Sequence, residues 1–428
     1  MSLNRRQFLE VAALGAGAAA VGCAESGSSP SAAPAAGALP AALEALRPMT
    51  DGIVPISVAE RHARIAKAQR LMAERKIDAV FMEGTASCFY FAAMRWGQSE
   101  RTFGLVIPAK GDVAYVCPKF EEDRALELIT FGKDVRCWEE DDSPYPVIVQ
   151  IVKDRGLTHR RIGMEERVRF FIADGVRKAA NGCEIVDATP VTAGCRIYKT
   201  AAEIALMQRA NDATIAAYKA AFTTMHDGMS QDELSANIAA AFRKLGFTGG
   251  ASVQVGKWSA LPHGSITPQK LREGDVVMVD GGTSCEGYAS DITRTTVFGK
   301  ASQRQIDVWN KEKDAQTAAF NAMKLGAPAE SVDAAARRVI EAAGFGPGYR
   351  VPGLPHRTGH GIGLEGHEWT NFVKGNTTPL APGMCFSDEP MIAIPGEFGI
   401  RLEDCVYFDE KGAHFFTTPS IAIDRPFG

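Results

Sequence analysis

The sequence predicts an α/β domain over residues 46–195, followed by an α+β domain over 196–428 built as a pseudo-duplication. Three observations lead there. Strand-like and helix-like runs alternate up to about residue 190. After residue 196 the order "two helices, then β-rich sequence" occurs twice. Each of those repeats also carries a pair of acidic residues placed on either side of a turn.

Residues 1–45 stand outside both domains. In "NRRQFLEVAALGAGAAAVGC", Arg5 and Arg6 precede Phe8-Leu9 and an apolar run from Val11 to Val21. The run is too short to span a bilayer and reads as an export signal of the twin-arginine type. Its end, "AVGC", resembles a lipoprotein processing site with Cys23 as the lipidated residue, although Ala20 stands where a larger aliphatic is usual. Plain cleavage near an Ala-x-Ala sequence is the alternative. "AESGSSPSAAPAAGALPAA" then forms a linker too poor in large apolar residues to build a core. The expected location is periplasmic, with a lipid anchor to the membrane if Cys23 is acylated.

In the α/β domain, Ser57-x-x-Glu60 is a capping box opening a helix to about Arg75. "DAVFM" at 78–82, "FGLVI" at 103–107 and "VAYVC" at 113–117 read as strands, with a helix near 121–129. Trp96 and Arg101 in "RWGQSERTF" are candidates for substrate recognition, against the plainer reading of packing and surface roles. "RIYKTAAEIALMQRANDATIAAYKAAF" opens a long helical stretch and sets the boundary near 195. Helices at about 201–225 and 230–245, the second capped by Ser230-x-x-Glu233, precede β-rich sequence through 298. Helices at about 302–325 and 331–343 precede β-rich sequence through 424. Identity between the two halves is too low to prove a repeat.

Bulk composition removes several function classes. Lys plus Arg number 47 against 51 Asp plus Glu, and no basic run occurs, which argues against a nucleic-acid partner. Nine cysteines lack C-x-x-C spacing, so neither a zinc ribbon nor a disulfide framework is signalled. Cys285, Cys385 and Cys405 lie beside the acidic segments and are read as packing residues.

The chemistry is carried by carboxylates and histidines. In "VVMVDGGTSCEGYASDITRTTVFG" a hairpin pivoting between Cys285 and Glu286 would set Asp280 directly opposite Asp291. In "SDEPMIAIPGEFGIRLEDCVYF" a pivot at Gly396 sets Glu389 opposite Glu403. Opposed residues share a face with Cβ atoms about 5 Å apart, and carboxylates that close repel unless protonated or neutralised by a cation. One such pair is often accidental surface charge; two, one per half and each flanked by apolar strand residues, are hard to dismiss. "HRTGHGIGLEGHE" at 356–368 holds three of the eight histidines among four glycines. Each interior glycine costs a helix about 1 kcal/mol, so this is a loop or irregular strand where backbone and ligand approach closely. Four carboxylates and an imidazole suit two divalent ions about 3.5–4 Å apart sharing a water. The oxygen-rich set favours manganese, with cobalt or iron next and zinc as a further alternative.

These strings, "VDGGTSCEGYASDITRT", "HRTGHGIGLEGHE", "DEP" and "GIRLED", resemble those of the aminopeptidase P/prolidase family of Xaa-Pro metallopeptidases, and the likeness spans about residues 50–428. The resemblance implies a creatinase-like N-terminal domain and a "pita-bread" catalytic domain. It implies metal ligands at Asp280, Asp291, His360, Glu389 and Glu403, with Asp291 and Glu403 bridging two ions. Glu389 would also be the general base toward the attacking water, and His367 would stabilise the carbonyl oxygen. His263, in "SALPHGS", would handle a proton, while His356 and Arg401 would orient ligands or line the substrate pocket. The implied substrate is a peptide with proline at its second position, and the implied assembly is a homodimer or larger homo-oligomer.

Two positions depart from the family pattern: Gly264 follows His263 where an aromatic residue is common, and "DEPM" replaces the commoner Glu-Pro-Gly. Both are expected to border the cleft and to loosen strict Xaa-Pro specificity. Two other functions compete: a creatinase-like hydrolase of another small amide, and a binding protein that has lost catalysis. Creatinase works without metal and inactive relatives lack ligands, so the complete ligand set weighs against both.

Overall fold

The computed structural model describes residues 39–428. The expected export segment, Cys23 included, lies outside the described residues.

A long helix, α1 (Val58–Arg75), begins at Ser57, whose side chain accepts the Glu60 backbone N–H, and ends in left-handed Lys76. It leads into a six-stranded sheet in the order β4-β3-β2-β1-β5-β6. Its strands are β1 (Ala79–Glu83), β2 (Gly104–Pro108), β3 (Ala114–Pro118), β4 (Asp134–Trp138), β5 (Arg161–Met164) and β6 (Glu184–Asp187). Side chains alternate between faces, as a strand's period of two requires. Val80, Met82, Leu105 and Ile107 enter one buried cluster with Met72 of α1. Phe81, Val106 and Val116 enter another with Ile148 and Val152 of a helix on the opposite face. Both faces are covered, which explains why β1, β2 and β3 are buried at every position.

After α2 (Thr189–Arg196) the helix–helix–sheet order appears twice. α3 (Ala201–Phe222) and α4 (Gln231–Leu245) precede a sheet ordered β10-β8-β7, from β7 (Gly249–Val255), β8 (Val276–Cys285) and β10 (Ile292–Val297), with short β9 (Tyr288–Ala289) on β8. α5 (Gln303–Ala322) and α6 (Glu330–Ala342) precede a sheet ordered β12-β11-β13-β16-β17 and a separate β14–β15 hairpin. These strands are β11 (Gly359–Gly361), β12 (Glu368–Phe372), β13 (Cys385–Asp388), β14 (Met391–Ile394), β15 (Phe398–Arg401), β16 (Asp404–Asp409) and β17 (Gly412–Phe415). α3 carries a complete capping box between Thr200 and Glu203.

The halves meet along β10 and the β15–β16 junction. The Glu403 N–H donates to the Thr293 carbonyl at 3.2 Å, and Thr295 Oγ1 donates to the Arg401 carbonyl at 2.6 Å. Buried Arg294 donates to the Glu403 carbonyl and to Asp404 Oδ1 at 2.8 and 2.6 Å. Trp309 of α5 closes the layer beneath, its indole N–H bonded to the Thr295 carbonyl at 3.2 Å.

The expected hairpin register in the first half is corrected. The turn residues are Glu286 and Gly287, with φ of +50° and +91°, so Cys285 pairs with Tyr288 and Asp280 pairs with Thr293. The pairing is two residues from the expected one. A shift of two keeps every side chain on its face, so Asp291 remains on the same side as Asp280. In the second half the register holds. Asp388 pairs with Asp404 and Met391 with Arg401, which leaves Glu389 and Glu403 between two ladders of one continuous pairing.

Glycine in the histidine run has a packing reason. A Cβ at Gly359 would lie 2.1 Å from the Ser387 carbonyl oxygen, and one at Gly361 2.7 Å from that of Trp369. β11 is wedged between β12 and β13, with no room for a side chain on that side. Gly359→Ala is expected to destabilise the fold by about 1–3 kcal/mol, the usual cost of overpacking. Urea denaturation reads this directly, and unchanged stability would refute the wedge.

Candidate metal centre

Asp280 on β8, Asp291 just before β10, His360 on β11, and Glu389 and Glu403 between the ladders converge in one place. Three overlapping sets place ligand atoms within 4.8 Å of one another: Asp280, Asp291 and Glu403; His360, Glu389 and Glu403; and Asp291, His360 and His367. Glu403, Asp291 and His360 each belong to two sets. His360 Nε2 stands 3.2 Å from Glu389 Oε1 and 3.9 Å from Asp291 Oδ2.

The surrounding polar groups aim these atoms. The Nδ1 of His360 lies 3.1 Å from the Gly361 carbonyl. Because a carbonyl only accepts, Nδ1 carries the proton and Nε2 presents a lone pair to the carboxylates. Ser387 Oγ accepts the His360 backbone N–H at 3.0 Å and donates to Glu389 Oε1 at 3.2 Å. Thr293 Oγ1 lies 2.9 Å from Asp280 Oδ1 and 2.7 Å from Glu403 Oε2, so its one hydrogen serves one carboxylate at a time. It accepts from Arg401 Nε at 3.0 Å. Arg401 Nη2 approaches Asp280 Oδ2 to 2.5 Å off the hydrogen-bonding direction, and Nη1 donates to the Pro262 carbonyl at 2.9 Å. Through that bond Arg401 also fixes the loop carrying His263.

Electrostatics show what is missing. Burial, then the charges of Asp280 and Glu389, push the Asp291 carboxyl well above the ordinary aspartate value. Burial, then Asp291 and Glu389, do the same to Glu403. Burial raises Glu389 too, against the opposing pull of His356 and Arg401. Burial lowers His360 to about 4, with the Gly361 hydrogen bond opposing. Oε1 of Glu403 is buried with no hydrogen-bond partner. Neutral imidazole nitrogen, crowded carboxylate oxygens and an orphaned acceptor form a donor set that fits divalent cations.

The other candidate residues fall into place around this cluster. His367 stacks on His360, centroids 3.7 Å apart and planes 13° apart, and is kept neutral first by burial and then by His360. His356 bonds through Nδ1 to the Arg357 carbonyl at 2.7 Å and leaves Nε2 buried and unpartnered. His263 is exposed on the loop that Arg401 holds. Trp96 stacks on Phe103 at 4.1 Å and Arg101 pairs with exposed Glu140 at 2.9 Å, the packing and surface roles.

The two departures from the family pattern have local causes. Gly264 adopts φ +76°, and a Cβ there would lie 2.6 Å from Gln254 Nε2. Met391 is fully buried in β14 within the core, so it does not line the cleft as expected. Sequence reading missed Thr293 and Ser387, and read Cys405 only as a packing residue. Cys405 brackets the Asp291 backbone, accepting its N–H at 3.3 Å and donating to its carbonyl at 3.2 Å. Thr293 had a signal in the sequence, since it lies two residues beyond Asp291 on the same strand face.

The profile of metallopeptidase family M24 matches residues 205–410, and that of the creatinase/prolidase N-terminal domain matches 64–198. An uncharacterised peptidase of Schizosaccharomyces pombe is 37% identical over 384 residues, covering 84% of this chain and 82% of that protein. A Xaa-Pro dipeptidase of Lactobacillus helveticus is 30% identical over 82% of this chain and 95% of its own length. Among solved structures, dipeptidase PepE of Mycobacterium ulcerans superposes with a TM-score of 0.78 at 31% identity, covering 85% of this chain and 97% of its own. A prolidase of Thermococcus sibiricus gives 0.76 at 28% identity, covering 84% and 97%.

The raised carboxyls predict a pH effect on metal-free protein. Protonated Asp291, Glu389 and Glu403 favour the folded state. That contribution is complete below about pH 4 and is lost as pH rises through the elevated values. His356, His360 and His367 are depressed and act in the opposite sense, but only below about pH 6.5, where unfolded imidazole begins to charge. Chelated protein should therefore melt lower at about pH 8.5 than at about pH 6.5, and Mn(II) should recover more at the higher pH. Glu403→Gln should flatten the slope in thermal melts; an identical slope would contradict the assignment.

Proposed function

The chain belongs to metallopeptidase family M24, and from that premise we propose that it is a dinuclear-metal hydrolase releasing the N-terminal residue from Xaa-Pro peptides. The observation that carries this reading is the convergence of Asp280, Asp291, His360, Glu389 and Glu403 in overlapping three-residue sets. Relatives named Xaa-Pro dipeptidase and prolidase support the substrate class.

Asp280 would hold one ion, His360 and Glu389 the other, and the carboxylates of Asp291 and Glu403, each able to offer two oxygens, would be shared between them. Two divalent ions, manganese first among the candidates, supply a polarised carbonyl and a water that ionises near neutral pH. Glu389 would also serve as the general base toward the attacking water. Neutral His367 directs an N–H at the carbonyl oxygen as charge develops there. Exposed His263 can pass a proton between solvent and the departing proline nitrogen. Proline leaves a tertiary amide with no hydrogen to donate and fixes its own φ near −65°, so a site that works through the carbonyl and a separate proton donor suits it.

Asp291→Ala and Glu403→Ala should abolish hydrolysis and drop bound metal well below two ions per chain. His367→Ala should retain metal and lose about 2.7–4 kcal/mol of transition-state stabilisation, the scale of one oxyanion donor. The test is metal analysis beside a panel of Xaa-Pro and Xaa-Ala peptides of two or more residues. A metal-loaded protein that ignores every Xaa-Pro peptide yet cleaves another amide would move it to the creatinase-like reading.

Arg5-Arg6 and the apolar run after them support export to the periplasm, and Cys23 supports a lipid anchor. Arg5→Lys combined with Arg6→Lys should hold precursor in the cytoplasm. Cys23→Ala should release the protein from the membrane fraction, and identical fractionation would exclude the anchor. A homodimer is the proposed assembly, checked by light scattering on the purified chain.

A further inference from the structure

Among the described residues His367, like exposed His263, makes no side-chain hydrogen bond. It touches His360 face to face, and a stacked contact leaves the ring free to slide and rotate in its plane. Its aim must therefore come from the backbone. The next residue, Glu368, is fixed far more tightly. Its carboxylate is buried and meets Arg196 Nη2 at 2.5 Å and Lys199 Nζ at 3.0 Å. It also accepts the Glu365 backbone N–H at 3.3 Å, tying the two ends of the loop before β12 together. Arg196 in turn meets Glu365 Oε2 at 2.7 Å and Ser87 Oγ at 3.0 Å. Glu365 is also paired with Arg167 at 2.6 Å. Ser87 and Arg167 belong to the N-terminal α/β region, and Lys199 is anchored by its backbone N–H to the Gly383 carbonyl at 2.7 Å.

The clamp surrounds a cavity of about 470 Å³ lined by Arg196, Glu365, His367 and Glu368, with Arg357 and Trp369 among the remaining wall residues. One wall of that cavity thus carries both the clamp and the imidazole. We propose that Arg196 and Lys199 are positioning residues: by clamping Glu368 they set the aim of His367 at the carbonyl oxygen, and through Ser87 and Arg167 they make that aim depend on the N-terminal domain. This rests on the oxyanion role proposed for His367. A displacement of about 1 Å in such a group costs on the order of 10²-fold in rate.

The test is a double-mutant cycle with a structural readout beside it. Arg196→Met leaves two carboxylates short of a cation, so Arg196→Lys, which keeps the charge without the fork, is run with it, as is Lys199→Met. Each should lower kcat by roughly 10- to 100-fold while KM and the two-ion content stay near wild type. In a His367→Ala background the same changes should cost less than about twofold, because the group they aim is gone. Equal losses in both backgrounds would mean a general structural role and overturn the proposal. Independently of activity, histidine-labelled protein has only eight ring signals. The signal missing from His367→Ala should shift in Arg196→Lys while that of exposed His226 does not; an unmoved His367 signal also overturns the proposal. If wild type cleaves no Xaa-Pro peptide, the substrate reading fails, and the ring signals still decide whether the clamp sets His367.

Discussion

Four carboxylates crowded beside a single guanidinium form the constraint on which this structure depends. Asp280, Asp291, Glu389 and Glu403 stand within a few ångströms of one another, and Arg401 is the cation in direct contact with them. Without further positive charge such an arrangement either protonates or pushes apart. The ladders of β8–β10, β13–β16 and β14–β15 fix the backbones, so the carboxylates cannot move apart and must either hold protons or be offset by bound cations. The second layer reflects the same pressure. Thr293 and Ser387 supply hydrogens to carboxylate oxygens, Arg401 lends its charge to Asp280, and Arg294 sits below with its guanidinium on the Glu403 carbonyl and Asp404.

The two halves satisfy this constraint by different local means. In the first, a two-residue turn at Glu286-Gly287 with both φ positive returns the chain onto β8, the geometry that matches the twist of paired strands. In the second, Glu389 and Glu403 occupy the gap where one ladder ends and the next begins. Their backbone N–H groups turn from each other to the Thr358 and Thr293 carbonyls, so their positions stay fixed from both sides. A break in pairing is where a side chain can be re-aimed, and both Asp291 and the Glu389–Glu403 pair sit at such breaks.

What could be read from the sequence follows from how local the determinants are. Glu389 and Glu403 were placed correctly because Gly396 lies at φ +84° and announces its turn. Asp280 and Asp291 were misregistered by two because the turn uses Glu286, a non-glycine residue at positive φ. Even periodicity rescued the conclusion: an error of two preserves the face, whereas an error of one would have sent Asp291 to the other side. Strands β1, β2 and β3 were legible to within one residue, since their burial on both faces makes them largely apolar, whereas the partly exposed β4 and β6 were not placed. The face of Thr293 was legible from its spacing to Asp291, and Cys405 only as a packing residue, but the partners of both were not. Thr293 meets Glu403 across 110 residues of sequence and Cys405 meets Asp291 across 114, and nothing in either local string records its partner. Met391 misled for the opposite reason, since a motif departure beside a ligand looked like a cleft residue but points into the core.

Chemistry and selectivity are thus carried by different parts of the fold. Groups that must keep sub-ångström relations stand on or between ladders, where backbone hydrogen bonds hold them. Groups placed to meet the rest of the substrate stand at the margins: His263 on a loop held by Arg401, Arg357 on the connection before β11, and Trp369 at the start of β12, the last two on the cavity wall. Loops tolerate change at little cost to the scaffold. Gly264 shows how far that freedom extends, since its positive φ and its approach to Gln254 bind the loop's course to glycine while His263 beside it remains exposed. The hydrolytic centre is therefore the part of the molecule least able to vary. Discrimination among peptides must be sought in side chains of the connections around it, where a substitution alters contacts with substrate without disturbing the balance of charge beneath.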